Sequence, residues 1–221
     1  MSTVYDCSDP DSRSAGVTAA RTTLKSGRLA VIPTDTVYGL AADAFDSAAV
    51  SALLAAKRRG RDMPVPVLVG SWNTIDGLVF SVQQQARDLI RAFWPGGLSL
   101  VVQQAPSLAW DLGDARGTVM LRMPLHPVAL ELLREVGPLA VSSANVSGSP
   151  AATTVDEARD QLGELVGVYL DGGKAEHGIA STIVDLTGDR PRVLRAGAVT
   201  VPQVAEVLGV PVDELTAEPT R

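Results

Sequence analysis

Cysteine is nearly missing from this chain of 221 residues: Cys7 is its only one. A single thiol cannot close an intrachain disulfide or build a cysteine-rich metal site. Histidine is almost as scarce, and His126 and His177 lie far apart, which argues against a histidine-based metal centre. Aromatic residues make up 4% of the sequence, so the core has to be built from Val, Leu, Ile and Ala. No apolar run approaches the ~20 residues that span a bilayer, and the opening MSTVYDCSDPDSR lacks the apolar stretch of a signal peptide. A cytoplasmic protein without membrane association is expected. Net positive charge is also lacking: the formal charge is −6, unsuited to general phosphate-backbone binding, although a local basic patch remains compatible with it. Three common signatures do not occur: GxxxxGK[ST], GxGxxG after a strand, and GxSxG. If the chain handles a nucleotide, it does so with hydroxyls, amides and scattered cations.

The length and the 46% hydrophobic content suit one large domain, read as residues 1–210, followed by a polar, frayed tail at 211–221. Helical patterns occur at 14–26, 47–58 (with Ser47 as N-cap), 82–93 and 127–136. A capping-box pattern at Thr154 to Glu157 starts another helix running to Leu162, and Thr200-Val201-Pro202 opens a last one. Strand runs are LAVIP at 29–33, VPVLV at 65–69, LSLVV at 98–102, TVMLRMP at 118–124 and LAVSSA at 139–144; VGVYLD, STIVDL and RVLRAG follow. Pro66 places the second run near an edge or bulge. The interleaving predicts an α/β domain around one sheet, mixed because several late strands lack helices between them.

Four polar groups stand out, each with an ordinary reading beside it. PTDTVYGL at 33–40 follows a buried strand; it is a structural turn with Asp35 as a cap, or one wall of a ligand site at a strand's C-terminal end. Lys57-Arg58-Arg59-Gly60-Arg61 puts four cations after a helix, either complementing its dipole or clamping a polyphosphate. The strand at 139–144 runs into Ser142-Ser143-Ala144-Asn145-Val146-Ser147-Gly148, an ordinary connection or a loop of small residues able to approach phosphates. Arg122 and Arg195 sit in or at the end of apolar strands, where a charge must be paired or aimed at an anion. Asp171-Gly172-Gly173 and Ser181-Thr182 offer a further polar rim. His126 reads as a helix-start residue, His177 as loop, and Trp94 as a core anchor.

Taken together these motifs resemble the YrdC-like family of threonylcarbamoyl-adenylate synthases. The matching pieces are Pro33 to Leu40, Lys57-x-Arg59, Trp94-Pro95-Gly96-Gly97, Val119 to Pro124 with His126-Pro127, Ser143-Ala144-Asn145 with Ser147-Gly148, Ser181 to Asp185, and Leu194-Arg195-x-Gly197, in the family's order. The resemblance implies a twisted mixed β-sheet with flanking helices and a concave basic cavity. It implies the conversion of L-threonine, bicarbonate and ATP, with Mg²⁺ accompanying the ATP, into threonylcarbamoyl-AMP and pyrophosphate. The product would feed N6-threonylcarbamoyladenosine formation in tRNA through a separate tRNA threonylcarbamoyl transferase complex, so direct tRNA binding is not required and would be weak. Carried onto this sequence, Lys57 and Arg59 become catalytic residues. ATP falls to these two with Thr118, Ser143, Asn145 and Arg195; threonine falls to Thr34, Thr36, Arg122, Ser142 and Ser181. No protein metal ligand is expected, since no carboxylate cluster is evident. Two departures stand out: Met63 replaces a usual Asn or Lys, and Leu68 a usual His. The chain is expected to correspond to the family's short form, without the second domain of longer members. Two other readings are an RNA-binding module gripping double-stranded RNA, and a paralogue using another carbamoyl substrate.

Overall fold

A computed structural model describes residues 2–176 and 178–216 of the chain. The elements in order are β1 (Thr3–Asp6), α1 (Pro10–Lys25), β2 (Ala30–Ile32), β3 (Gly39–Asp43), α2 (Ser47–Ala56) and β4 (Val67–Leu68). After a 3₁₀ turn at Trp72–Gly77 come α3 (Gln84–Phe93), β5 (Leu98–Gln103), β6 (Thr118–Arg122), α4 (Pro127–Val136), β7 (Leu139–Ser143) and α5 (Val155–Leu162). The chain continues through β8 (Val168–Asp171), β9 (Thr182–Asp185), β10 (Arg192–Arg195), α6 (Val201–Leu208) and α7 (Val212–Thr216).

All ten strands join one sheet in the order β1-β8-β2-β3-β7-β4-β6-β5-β9-β10. It is mixed, as the late helix-free strands predict: β1–β8, β8–β2, β4–β6 and β5–β9 are parallel, and the other neighbours antiparallel. Along the strands between α1/α4 and the larger core, alternate residues enter different cores, as a pleat requires: β2, β3, β4, β7 and β8 each supply both. Ala30, Ile32, Ala41 and Val141 pack with Val17, Leu24 and Leu132 of α1 and α4. Val31, Leu40, Ala42 and Ala140 join a larger core with α2, α3, α5 and α6.

The helix starts follow side-chain capping chemistry. Asp9 caps α1 by accepting from Ser12 N, so that helix begins earlier than the apolar pattern predicts. Asp46 caps α2, taking Ala48 N at 2.9 Å and Ala49 N at 3.1 Å, and Ser47 is the first helical residue instead of the cap. Thr154 and Thr200 cap α5 and α6 as their sequences predict, but the Glu157 carboxylate accepts from Thr153 N instead of Thr154 N, so the expected box at α5 is incomplete, whereas Thr200 and Gln203 form a full one.

Three expectations are corrected. β3 is a strand that its Gly- and Ala-rich sequence concealed. β4 is central, between β7 and β6; Pro66 precedes it and needs no ladder N–H, while its carbonyl accepts from Val141 N at 2.8 Å. The tail does not fray from residue 211, because α7 forms and buries Leu215 against the core. Residues 217–221, and the loop reading of His177, lie outside the described residues. No helix among the described residues is long and apolar enough to cross a membrane.

Candidate functional site

The stretch PTDTVYGL supplies the connection of the β2–β3 hairpin (33–38) and the first two residues of β3, and its polar side chains turn inward. Thr34 Oγ1 donates to Val37 O at 2.7 Å and accepts from Thr36 N at 3.2 Å, which folds the loop on itself. Between them the Asp35 carboxylate receives Arg122 Nη2 from β6 at 2.6 Å and Leu125 N at 2.9 Å. Arg122 also donates to Thr36 Oγ1 at 2.8 Å and to Gly96 O at 2.8 Å. Both members of this ion pair are buried. Desolvation lowers the Arg122 pKa from its ordinary value, and the Asp35 charge opposes that shift. Asp35 is therefore a counter-ion that lets a guanidinium sit deep in the sheet.

Beside Arg122 lies a cavity of about 180 Å³. Thr34 and Thr36 line it from the hairpin, Arg59 from the loop after α2, Met120 and Arg122 from β6, and Ser142 and Ser143 from β7. Ser99 of β5, Ser181, and Arg195 of β10 complete the polar lining; Leu68 and Ile183 add apolar surface. Sequence positions 34 to 195 thus meet at one place. Gly197 is required beside it: a Cβ there would stand 2.2 Å from Ala180 O, against the segment that carries Ser181.

The charge balance of the cavity is unequal. Arg59 donates to Met63 O at 2.9 Å, Pro64 O at 3.1 Å and Ser142 Oγ at 3.2 Å. Arg195 donates to Ser181 O at 2.7 Å and Ser181 Oγ at 3.1 Å, and the latter hydroxyl lies 2.9 Å from Ser99 Oγ. Among the described residues neither arginine has a carboxylate within ion-pair distance. Burial pushes the pKa of both down; the Arg195 charge lowers that of Arg59 further, against an opposing pull from Asp62. Two guanidiniums with no carboxylate at ion-pair distance among the described residues, beside a set of hydroxyls, have the chemistry to receive an anion.

Three residues assigned to binding from the sequence do not line the cavity. Lys57, only 2% exposed, caps the C-terminus of α2 and points its ammonium at Ser143 O (2.5 Å) and Asn145 O (2.8 Å). Asn145 donates its amide to Val146 O and Ser149 O at 2.9 and 2.8 Å. Both therefore brace the Ser143–Asn145 loop from behind. Thr118, at the start of β6, donates its hydroxyl to Ala115 O at 2.7 Å. The Asp171–Gly173 rim does not line the cavity either; it holds the buried Tyr38 hydroxyl, 2.5 Å from Gly173 O and 3.2 Å from Asp171 Oδ1. His126 is the N-cap residue of α4, and Trp94 is a buried anchor donating to Leu98 O at 2.7 Å. The cavity residues missed in the sequence are Ser99 and the partnership of Asp35. A lone hydroxyl inside the apolar run LSLVV was the available signal for the first.

Lys57 supplies a pH test. Burial first, and the Arg59 charge second, lower its pKa from 10.5 to about 8. Between these values the unfolded chain holds the proton that the folded chain has lost, so this group adds stability as pH rises from about 8 to 10.5. Urea midpoints of the wild type minus those of Lys57→Met should climb across that window and be flat below it. A flat difference throughout would show that Lys57 is not desolvated.

Sheet, cavity and charge together define a mixed α/β domain whose cavity has the lining to suit an anion and a small polar ligand. The family model for Sua5, YciO and YrdC proteins, described as telomere recombination, matches residues 22–197. The chain belongs to the Sua5/YciO/YrdC family. It is 70% identical over 210 residues to a Mycobacterium leprae protein that carries the provisional name threonylcarbamoyl-AMP synthase, covering 95% of this chain and 96% of that one. It is 36% identical over 196 residues to the threonylcarbamoyl-AMP synthase of Bacillus subtilis, covering 87% of this chain and 56% of that one. Among solved structures, Pyrococcus abyssi Sua5 complexed with L-threonine superposes with a TM-score of 0.88 at 30% identity, over 99% of this chain and 63% of that one. Escherichia coli YciO, at 24% identity and a TM-score of 0.82, covers 92% of this chain and 100% of its own, a likeness of fold. The chain therefore spans nearly all of the M. leprae relative and little more than half of the B. subtilis one.

Proposed function

We propose that this chain is an L-threonylcarbamoyladenylate synthase, joining L-threonine, bicarbonate and ATP into threonylcarbamoyl-AMP with release of pyrophosphate and water. The observation that carries the reading is the cavity in which Arg59 and Arg195, both without counter-ions, face a wall of hydroxyls from Thr34, Thr36, Ser142 and Ser181. Relatives named for this activity, and a similar structure holding L-threonine, support it.

The chemistry needs no protein nucleophile. Threonine's amine condenses with bicarbonate to a carbamate and water. A carbamate oxygen then attacks the α-phosphorus, and the bond to the bridging oxygen breaks as pyrophosphate leaves. Positioning and neutralisation of the developing charge can supply the acceleration. Thr34, Thr36, Ser142 and Ser181 hold the amino acid. Arg122 spends its charge on Asp35 but has five N–H donors, of which three contacts are made within the protein, leaving two for a carboxylate. Arg59 and Arg195 face the phosphates beside Ser143, while Lys57 and Asn145 hold the Ser143 loop in place. The cavity is smaller than the ~300–1,000 Å³ of typical drug-sized clefts. It takes the amino acid and the reacting phosphate, with the adenosine directed outward. No group of three or more His, Cys, Asp or Glu suited to a metal occurs among the described residues. We assign Mg²⁺ to the ATP oxygens, entering with the substrate. The product, a reactive mixed anhydride, passes to a tRNA threonylcarbamoyl transferase.

Purified protein should release pyrophosphate from ATP only when threonine and bicarbonate are both present. Release that ignores either one refutes the proposal.

A further inference from the structure

Arg59 does not hold itself in the cavity. Its guanidinium rests on the carbonyls of Met63 and Pro64, so its direction depends on how the segment 61–65 is fixed. That segment is clamped at both ends by the connection between β5 and β6, residues 104–117. At one end Asp114 N donates to Arg61 O at 2.8 Å; at the other Val65 N donates to Leu112 O at 2.9 Å. Gly113 makes this approach available. It has φ +101°, and a Cβ there would stand 2.8 Å from Arg61 O. The connection is itself anchored: Leu112 is buried in the main core, and Trp110 stacks on Phe45 with ring centroids 5.5 Å apart.

Across the clamp, the Arg61 side chain grips the same connection with a fork: Nη2 to Asp111 Oδ1 at 2.7 Å and Nη1 to Asp111 Oδ2 at 3.1 Å, with Nε 3.5 Å from Asp114 Oδ1. We infer that Arg61, through Asp111 and Asp114, is a positioning residue for Arg59, a latch that sets the phosphate-facing guanidinium from outside the cavity. The inference rests on the proposed phosphate role of Arg59. Arg61 is absent from the cavity lining, and its own charge is spent on two carboxylates. The pair is half-exposed, so the latch answers to ionic strength.

The test is a double-mutant cycle read by the Kd for pyrophosphate and by the KM for ATP. Arg61→Ala should weaken both by about two- to fivefold, as expected of one exposed ion pair, with kcat little changed and the urea midpoint held. Exchanging the charges (Arg61→Asp with Asp111→Arg) should restore the wild-type values. The Arg61→Ala effect should vanish in an Arg59→Ala background and shrink in high salt. If it persists without Arg59, Arg61 touches the ligand itself and the latch is wrong. Full turnover with KM and Kd indifferent to Arg61→Ala overturns the latch alone. Pyrophosphate binding without threonine- and bicarbonate-dependent turnover overturns the proposed activity, and the latch then stands or falls on Kd. A wild type that neither binds pyrophosphate nor turns over overturns both.

Discussion

Arg59→Ala should lower kcat/KM for ATP by about 10- to 150-fold, equivalent to ~1.5–3 kcal/mol of lost charge-assisted contact with a phosphate. Initial rates of pyrophosphate release at saturating threonine and bicarbonate measure it. The fold should not suffer in proportion. The side chain's contacts within the protein are two carbonyls of its own loop and the Ser142 hydroxyl, and its charge is raised in energy by burial and by Arg195. Removing it relieves the desolvation cost and the Arg195 repulsion while losing the pull of Asp62, so the urea midpoint should stay near the wild-type value while activity collapses. Such a split marks a residue kept for function at some cost to stability. Arg59→Lys should recover only part of the loss, because an ammonium keeps the charge but not the planar fork. A variant that unfolds as readily as it loses activity would assign Arg59 to structure instead.

Asp35→Ala should destabilise the fold by ~3–5 kcal/mol, because it leaves the Arg122 guanidinium buried without its counter-ion. Against a typical total of ~5–15 kcal/mol, this is large enough for a urea titration to read directly. Asp35→Asn keeps an acceptor for Leu125 N and should fall between alanine and the wild type. Removing both charges, as Asp35→Ala with Arg122→Met, should recover much of the stability without recovering turnover. If the double variant is as unstable as the single one, the pair is not the reason for Asp35.

Much of the fold could be read in advance because most strands are runs of β-branched and large aliphatic residues with polar breaks. β3 escaped because Gly39-Leu40-Ala41-Ala42-Asp43 has little intrinsic preference for a strand; it becomes one by pairing with β2 and β7 on its two sides. β1 escaped as an edge strand of four residues. In the cavity, the hydroxyls and arginines were legible because a polar side chain at the end of a buried strand needs a reason to be there. What the sequence hid were partnerships. Asp35 and Arg122 stand 87 residues apart, and nothing local links them. The same holds for Lys57, whose place in a basic run suggested a phosphate, while the fold spends it on carbonyls 86 and 88 residues away. A run of like charges reports composition; the fold decides which cation is left free.

The strand order has a consequence for the growing chain. Ser181 and Arg195 come from segments around β9 and β10, which dock beside β5 at the far end of the sheet. A ribosome must therefore release nearly the whole domain before the last wall of the cavity exists, and no early fragment contains the complete cavity. Ligand binding stabilises only the finished sheet. Protection of the chain by ATP and threonine against proteolysis would thus report that β9 and β10 have found their place.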